Sequence, residues 1–396
     1  MSWENRNFKE LGFLGRGKSR HRPRNDESLY GGDYPMIQTG DVKAANFYLN
    51  SFSQTYNDKG LAQSKLWNPN TLCITIAANI AETAILGMKA CFPDSIIGFI
   101  ADEEKSDVRF IKYFFDIYKE RMQRISQGAT QDNLSLEKLL TFEVPTPPLQ
   151  TQKRIADILS AYDNLIENNL KRINLLEQAA QNIYKEWFVN LRFPGHENTP
   201  INEETGLPEG WKEVLAKEYF DFKRGIEVGS KNYVSEESDN TIPFLRVGSL
   251  GSRDTDVFTD ISLVKDRILN FEDVCISMYG SIGLVGYGLI GAYSTGLRKI
   301  AAKSNKYSTG FIYGLLKSEE IQDTIRAYAK GSTILHASSS IEHLKFNDAN
   351  EEISTQFNKV IDPIYSKLLN LNKQNQKLKE ARDILLPRLM NRTIEV

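Results

Sequence analysis

The second half of this 396-residue sequence repeats the pattern of the first half, and this duplication constrains the fold more than any other feature. The pairs that recur at a spacing of 208 residues are Arg16-Gly17 with Arg224-Gly225, Pro35 with Pro243, and Gly40 with Gly248. The pairs that recur at spacings of 201 to 203 residues are Cys73-Ile74 with Cys275-Ile276, Ile80 with Ile282, Phe110-Ile111 with Phe311-Ile312, and Gly128-x-Thr130 with Gly331-x-Thr333. A repeat of this length predicts two similar domains related by pseudo-symmetry.

Each copy is followed by an amphipathic pattern that is typical of a long helix. From Gln152 to about Asn190 apolar residues step mostly by three or four positions, the spacing of a coiled-coil seam. At ~1.5 Å per residue this helix would be roughly 60 Å long. The second pattern comprises Ile353, Phe357, Val360, Ile364, Leu368, Leu371, Leu378, Leu385 and Leu389. Pro363 lies inside it and is expected to kink the helix or delay its regular part.

Two helices that each expose an apolar stripe are stabilised by burying the stripes against each other. The predicted fold class is therefore α+β, with two pseudo-symmetric globular domains separated by an antiparallel coiled coil of two long helices. The residues expected to pack between the helices are Ile155, Leu159, Tyr162, Ile166, Ile173, Leu176, Ile183, Phe357, Ile364, Leu368, Leu371, Asn375, Leu378 and Leu385. We hypothesise that the polar Asn375 fixes the register of the pair. In the alternative, each helix packs only on its own domain.

Proline-rich and glycine-rich stretches mark the predicted domain boundaries. The prolines of Val144-Pro-Thr-Pro-Pro148 break regular structure, and Arg192 to Pro208 is typical of a linker. The predicted division is domain 1 at 1–147, the first spacer helix at 148–190, a linker at 191–208, domain 2 at 209–347 and the second spacer helix at 348–390. The local predictions are strands at 34–42, 72–76, 242–247 and 274–279, helices at about 107–125 and 310–329, and a hairpin from Gly280 to Gly291.

The overall composition argues against several classes of protein. The formal net charge is −2 and the pI is about 6.2, so any basic surface for nucleic acid must be local. Cys73, Cys91 and Cys275 are odd in number and lack a C-x-x-C spacing, which favours buried thiols over a disulfide or a zinc site. The sequence contains neither a signal-peptide pattern nor ~20 consecutive apolar residues. We therefore expect a cytoplasmic protein.

Three segments carry a resemblance to a known family. They are Val144-Pro-Thr-Pro-Pro-Leu-Gln-Thr-Gln-Lys-Arg-Ile-Ala-Asp-Ile-Leu159, Tyr184-Lys-Glu-Trp-Phe-Val-Asn-Leu-Arg-Phe-Pro-Gly-His196 and Gly206-Leu-Pro-Glu-Gly-Trp-Lys212. Together with the duplication, they resemble the DNA-specificity subunit of a type I restriction-modification system over nearly the whole chain. The segments are similar to the family's entry into its first long helix, its exit from that helix, and its entry into the second recognition domain.

The resemblance implies a function and a set of partners. It implies that two target-recognition domains each read one part of a split double-stranded DNA sequence, and that a coiled-coil spacer docks two methyltransferase (modification) subunits. Restriction subunits would join through the methyltransferase. S-adenosylmethionine, ATP and Mg would lie on those partners, and this chain would carry no cofactor and catalyse nothing itself. Paired helices of fixed length would set a fixed spacer between the two half-sites.

Local clusters of cations are the best candidates for DNA contact. Arginine donates bidentate hydrogen bonds to phosphate or guanine, and glycine allows the backbone to approach closely. The candidates are Arg16, Lys18, Arg20, Arg22 and Arg24 in the first copy, and Lys223, Arg224, Lys231 and Arg246 in the second. Thr130, Ser332 and Thr333, beside repeated glycines, are further candidates for phosphate. The alternatives are a solvated charge run for the cations and an ordinary helix C-cap for the glycines.

Two alternative functions remain open at this point. A magnesium-dependent nuclease could use Asp94, Glu103 and Lys105, although magnesium needs converging carboxylates that spacing alone does not establish. A coiled-coil protein scaffold without DNA binding is the second alternative. The four histidines have no spacing suited to a metal, so no metal site is predicted.

Overall fold

The computed structural model describes residues 3–127, 134, 136–253 and 255–396. The chain divides into two compact units. The first unit contains residues 1–168 and 375–396, and the second contains residues 169–374. Each unit therefore combines one copy of the repeat with a segment of both long helices.

The described residues of the first unit form three antiparallel or mixed sheets. Listed in spatial order, their strands are Glu4–Asn7 and Glu143–Thr146; Gly12–Arg16, Ile96–Ala101, Leu72–Thr75, Thr83–Leu86 and Tyr48–Leu49; and Gln54–Tyr56, Tyr30–Met36, Ala90–Cys91 and Leu66–Trp67. Its short helices are Phe8–Leu11, Thr39–Ala44, Asp58–Ala62 and Leu136–Leu139, and its longer one is Val108–Gln127. Asn7 begins the first of these helices because its side chain accepts from Lys9 N and Glu10 N, while the Glu10 carboxylate accepts from Asn7 N.

The second unit repeats this architecture. Listed in spatial order, its strands are Lys212–Leu215 and Lys345–Asp348; Phe220–Arg224, Leu297–Ala302, Val274–Ser277 and Val285–Tyr287; and Phe258–Asp260, Thr241–Leu245, Gly291–Tyr293 and Ile268–Leu269. Its helices are Ala216–Tyr219, Val247–Ser252, Thr309–Lys317 and Glu319–Ala327. Each strand of the second unit has its equivalent in the first, and Tyr48–Leu49 is the first unit's additional strand. The predicted pseudo-symmetric α+β fold is confirmed.

All four predicted strands were drawn past their observed ends, and two of them were drawn into helices. In the first unit the strand ends at Met36, and residues 39–44 are helical. In the second unit the strand ends at Leu245 and a helix begins at Val247. Side chains explain both turns, because Asp41 accepts from the backbone N–H of Gln38 at 2.7 Å and thereby stabilises the start of the helix. Ser249 does the same for Arg246 at 3.1 Å.

The predicted hairpin from Gly280 to Gly291 was wrong in its pairing. The antiparallel pair is Val274–Ser277 with Val285–Tyr287, and Gly291 begins a strand of a different sheet. The sequence did not distinguish these two pairings, because apolar runs lie on both sides of several glycines in this region. The predicted helix at 310–329 is two helices, because Ser318 has an extended backbone and separates them.

The two long helices begin and end close to the predicted positions. The first long helix is Leu149–Tyr184, continued by a π-helical turn at Lys185–Val189, and the second long helix is Glu351–Met390. The second is continuous through Pro363, so its regular part is not delayed. None of the helices in the described part of the chain has the length and apolar character needed to cross a membrane.

Residues early in one long helix contact residues late in the other. In the first unit, Asp163 in the first half of the first long helix pairs with Arg382 near the end of the second. In the second unit, Tyr184 and Trp187 pack against Phe357 near the start of the second long helix, with ring centroids 6.2 and 5.4 Å apart. The helices therefore pair as an antiparallel coiled coil. Both also pack on the globular core of each unit, so the two packing modes coexist.

Most of the predicted packing residues lie away from solvent. The buried ones are Ile155, Leu159, Ile166, Ile173, Phe357, Leu368, Leu371 and Asn375. The half-buried ones are Tyr162, Leu176, Ile183, Ile364, Leu378 and Leu385. Val360 is exposed, whereas its neighbour Ile361 is buried, so at this one turn the buried side chain lies one position away from the one predicted from the sequence. The role of Asn375 in fixing register stays a prediction.

The Asp163–Arg382 ion pair is buried between the helices. Only 2% of the Asp163 side chain is exposed, and Asp163 also accepts a hydrogen bond from the hydroxyl of Tyr113. Burial disfavours the charge of Arg382, but the neighbouring Asp163 carboxylate raises its pKa overall. Removing one partner would leave a buried charge without compensation.

We therefore expect Arg382→Ala to lower the free energy of unfolding by about 3–5 kcal/mol. Arg388→Ala, at an exposed position of the same helix, is the matched control and should change it by less than about 0.5 kcal/mol. Replacing Asp163 and Arg382 together by Leu should recover most of the loss. Urea unfolding curves measure all three changes, and equal effects of Arg382→Ala and Arg388→Ala would contradict the assigned role.

Candidate nucleic-acid interface

The repeated Arg-Gly pair has the same geometry in both units. Arg16 and Arg224 are exposed and each is the last residue of its strand. The glycine after each arginine lies close to the backbone of another segment of the protein. A Cβ on Gly17 would lie 2.2 Å from the Pro93 carbonyl oxygen, and one on Gly225 would lie 2.1 Å from that of Ser294. Glycine is thus required by packing, and the tight passage holds an exposed arginine at the end of the strand.

The five cations of residues 16–24, here called the basic segment, differ in their partners. The guanidinium of Arg22 donates to the Ser19 and His21 carbonyl oxygens at 2.7 and 2.8 Å, and that of Arg24 pairs with Asp94 at 2.6 Å. Within the described residues, no hydrogen bond or ion pair engages the side chains of Arg16, Lys18 and Arg20. These three are the cations of the segment that are available to an anionic ligand.

Hydrogen bonds fix the backbone of the basic segment. The side-chain oxygen of Gln63 accepts from the backbone N–H groups of Arg20 and His21 at 2.6 and 3.0 Å. His21 Nε2 lies 2.7 Å from the Asp26 carboxylate. Hydrogen bonds from the side chain and backbone of Ser28, and then from His21, lower the pKa of Asp26 to about 2. The loop is therefore held in place before any ligand arrives, which reduces the entropy lost on binding.

The second unit has fewer available cations at the equivalent place. Lys223 pairs with Asp266. Arg224 and Lys231 are exposed and, within the described residues, have no side-chain partner. Arg246 is half exposed, with its nearest carboxylate oxygen, on Asp256, 3.6 Å away. The charge that faces solvent here is lower than in the first unit.

A groove of about 600 Å³ opens beside Arg246 in the second unit. It is lined by hydroxyl, carboxylate and backbone groups together with two tyrosines, namely Glu227, Tyr233, Arg246, Val247, Gly248, Ser249, Thr255, Asp256, Tyr279, Gly280, Ser294, Thr295 and Gly296. The chain that carries Arg224 runs along it, because Ile226 bridges to Ser294. Hydrogen-bond donors and acceptors therefore converge next to an exposed arginine.

The sequence did not single out an aromatic cluster in the first unit. The Trp67 indole lies over Gly15 and Gly98, where any Cβ would clash with it. The Lys65 ammonium stands 3.6 Å from its ring centroid, and burial lowers the pKa of this lysine. The neighbouring Phe13 ring is 54% exposed. Lys223 takes the place of Gly15 in the second unit, so the two units present different outer faces.

The hydroxyl candidates have weaker structural support. Ser332 and Thr333 are exposed in a turn closed by reciprocal backbone hydrogen bonds between Lys330 and His336. The preceding helix ends at Ala327, so Gly331 is not its C-cap. Thr130 and the neighbouring Gly128 lie outside the described residues.

Two of the three residues proposed for a nuclease site pair with other side chains. Asp94 pairs with Arg24, and Lys105 pairs with Asp102 at 2.7 Å. Across the described ranges, no group of three or more His, Cys, Asp or Glu residues is placed to hold a metal ion. The three cysteines are buried and free, as predicted, and burial raises the pKa of Cys275 to about 12.

Comparisons with known proteins agree with one another. The profile of the family described as "Type I restriction modification DNA specificity domain" matches residues 1–178 and 208–380. The MjaIX specificity subunit of a type I restriction enzyme from Methanocaldococcus jannaschii is 24% identical over 98% of this chain and 92% of its own length. The HindI specificity subunit from Haemophilus influenzae is 21% identical over 67% of this chain and 72% of its own.

One solved structure has a similar fold. It is the S subunit of a type I restriction-modification system from M. genitalium, with a TM-score of 0.57 and 18% sequence identity. The match covers 98% of this chain and 96% of that one.

The tight passage at Gly17 generates a stability prediction. We expect Gly17→Ala to lower the free energy of unfolding by about 1–3 kcal/mol, because the added methyl group must displace the backbone of Phe92 and Pro93. Gly40→Ala is the matched control, since a Cβ there meets no atom within 4 Å and its helical position should gain about 0.5–1 kcal/mol. Thermal and urea unfolding of the two variants measure the difference. A Gly17→Ala protein as stable as wild type would contradict the packing argument.

Proposed function

The chain belongs to the family of type I restriction-modification DNA specificity proteins, and from this membership we propose that it reads a bipartite double-stranded DNA target with two recognition domains. It is the specificity subunit of such a system and not a catalytic one. The observation that carries the proposal is the duplicated Arg-Gly geometry. Both units hold an exposed arginine beside a tight backbone passage, at the end of equivalent strands. Two equivalent surfaces suit two parts of one target.

We retain the predicted division of labour along the chain. Residues 1–147 and 209–347 are the proposed recognition domains, 148–190 and 348–390 the spacer helices, and 191–208 the linker. Arg16, Lys18, Arg20 and Arg224 are proposed to contact phosphates, since their side chains lack protein partners in the described structure. Arg16, Arg20 and Arg224 are exposed, and Lys18 is half-buried. Arg22, Arg24 and Lys223 are weaker candidates because each already has a partner.

The spacer helices are proposed to set the distance between the half-sites. At ~1.5 Å per residue, the 36 residues of the first long helix correspond to about 54 Å, which exceeds the ~34 Å of one turn of B-DNA. A rod of fixed length would tolerate one spacer between the two parts of the target and penalise others.

The same helices are proposed to bind two methyltransferase subunits, with restriction subunits joining through them. Leu165, Leu175 and Ile384 are apolar side chains that remain more than half exposed on these helices, which favours a protein partner there. S-adenosylmethionine, ATP and Mg would be bound by those partners. A cytoplasmic location stays a prediction.

Salt dependence tests the proposed phosphate contacts. In the complex with modification subunits, Arg16→Gln combined with Arg20→Gln should reduce the slope of log affinity against log salt by about 0.9 for each lost contact. Fluorescence anisotropy with a labelled duplex measures the slope. The control combines Lys9→Gln with Lys89→Gln, which removes the same charge from exposed positions outside the segment. If the two double variants changed the slope equally, the proposed phosphate contacts of the basic segment would be contradicted.

Deleting one heptad from each long helix tests the spacer. Seven residues would be removed around Asn168 in the first and around Gln374 in the second, where the compact units meet along the chain. The loss of about 10.5 Å of helix should shorten the preferred spacer by about three base pairs. Mapping of methylated sites in DNA from cells that carry the complete system measures the spacer. An unchanged spacer with normal methylation would refute the proposal that the helices set the distance between the half-sites.

A further inference from the structure

The two units place different side chains at one equivalent backbone position. Gln38 and Arg246 are 208 residues apart in the sequence, and each immediately precedes a six-residue helix. The backbone N–H of each donates to the side chain three residues later, Asp41 in the first unit and Ser249 in the second. The same turn therefore presents a carboxamide in one unit and a guanidinium in the other.

Arg246 stands at the groove of the second unit with much of its hydrogen-bonding capacity unused. Its guanidinium carbon is 6.0 Å from the Tyr233 ring centroid, so the aromatic face positions it. Its one carboxylate neighbour in the described structure is 3.6 Å away on Asp256, a side chain that is 91% exposed. An ion pair of that length between exposed groups contributes little and can be exchanged for a ligand.

The walls of the groove suit the edge of a nucleobase. Glu227, Ser249, Tyr279 and Thr295 contribute acceptors and hydroxyl donors to its lining. Arg224, a proposed phosphate contact, precedes the glycine that passes against the chain at Ser294 on the same groove. A DNA strand whose phosphate met Arg224 would therefore bring base edges towards Arg246.

Gln38 has the complementary chemistry in the first unit. Its side-chain nitrogen donates to the Gln54 carboxamide at 3.3 Å, a long contact between exposed groups. A carboxamide offers one donor and one acceptor side by side, which matches N7 and N6 of adenine. A guanidinium offers two parallel donors, which match O6 and N7 of guanine.

We propose that Gln38 and Arg246 are equivalent base-reading positions, with Arg246 selecting a G·C pair in the half-site of the second unit and Gln38 selecting an A·T pair in that of the first. This inference rests on the proposed function as a reader of bipartite DNA. It assigns base specificity to one position in each unit and leaves Arg16, Lys18, Arg20 and Arg224 to phosphate.

The test is selection from randomised duplex DNA by the complex of this chain with its modification subunits. With Arg246→Gln, one base pair of one half-site should change its preference from G·C to A·T, while all other positions stay as in wild type. With Gln38→Arg, one pair of the other half-site should change from A·T to G·C. One bidentate contact corresponds to about 5- to 100-fold discrimination between bases. Arg246→Lys keeps the positive charge but loses the two parallel donors of the guanidinium, so it should relax the G·C preference.

Arg326→Gln is the matched control, because Arg326 is exposed on another helix of the second unit and pairs with Asp323. It should leave the selected sequence unchanged. The inference would be overturned by an Arg246→Gln complex that selects the wild-type sequence, or by one that binds all sequences more weakly to the same extent. If the wild-type complex still selected a specific sequence, the proposed function would be upheld. If the wild-type complex selected no sequence at all, the proposed function itself would fail.

Discussion

The sharing of each long helix between two hydrophobic cores is the constraint on which the rest of the structure depends. The first long helix buries Ile155 and Leu159 in the core of the first unit, and Ala180 and Tyr184 in that of the second. An isolated helix of this kind would be marginal in water, since most helix stability comes from the packing of its apolar face. Because each helix is anchored in both units, its length cannot change without a matching change in its partner.

The repeat preserves backbone geometry and varies side chains. Gly17 and Gly225 meet the same steric limit, and the turns at Gln38 and Arg246 share the same hydrogen bond. Between these fixed points, Gly15 is replaced by Lys223, so that an aromatic cluster in one unit becomes an ion pair in the other. A fold that fixes the backbone in this way can change its ligand without changing its core.

The sequence predicted the features that depend on local spacing. The duplication, the α+β class and the two long helices follow from residue periodicity, and their elements begin within a few residues of the expected positions. Val42 was assigned to a strand as the end of a β-rich run from Tyr34, but Asp41 caps a helix there instead. Val360 was placed in the seam, whereas Ile361 is the buried residue there. Both are β-branched apolar residues at adjacent positions, so spacing alone did not tell which of them faces the core.

The candidate interface was less predictable because it depends on contacts between distant residues. Five cations within nine positions look equivalent in sequence, yet Arg22 binds its own loop and Arg24 binds a carboxylate seventy residues away. Gln38 was absent from the candidates because it lies outside both the runs of cations and the repeated Gly-x-Thr segments that the sequence singled out. Its equivalence to Arg246 becomes visible once the two turns are aligned by their hydrogen bonds, since neither residue type repeats.

The balance of charge has a consequence for the proposed DNA binding. With a net charge of −2, the chain as a whole has no long-range attraction to DNA, and several cations near the interface are neutralised by neighbours such as Asp94 and Asp266. Sequence-independent binding rests on phosphate contacts, so it weakens as the number of these contacts falls. Few free cations would therefore leave the non-specific complex weak, so that base contacts and the spacing of two half-sites would supply a larger share of the selectivity. Under the proposed function as a reader of a bipartite site, the protein gains from that division, because strong general attraction would hold it on the wrong sequences.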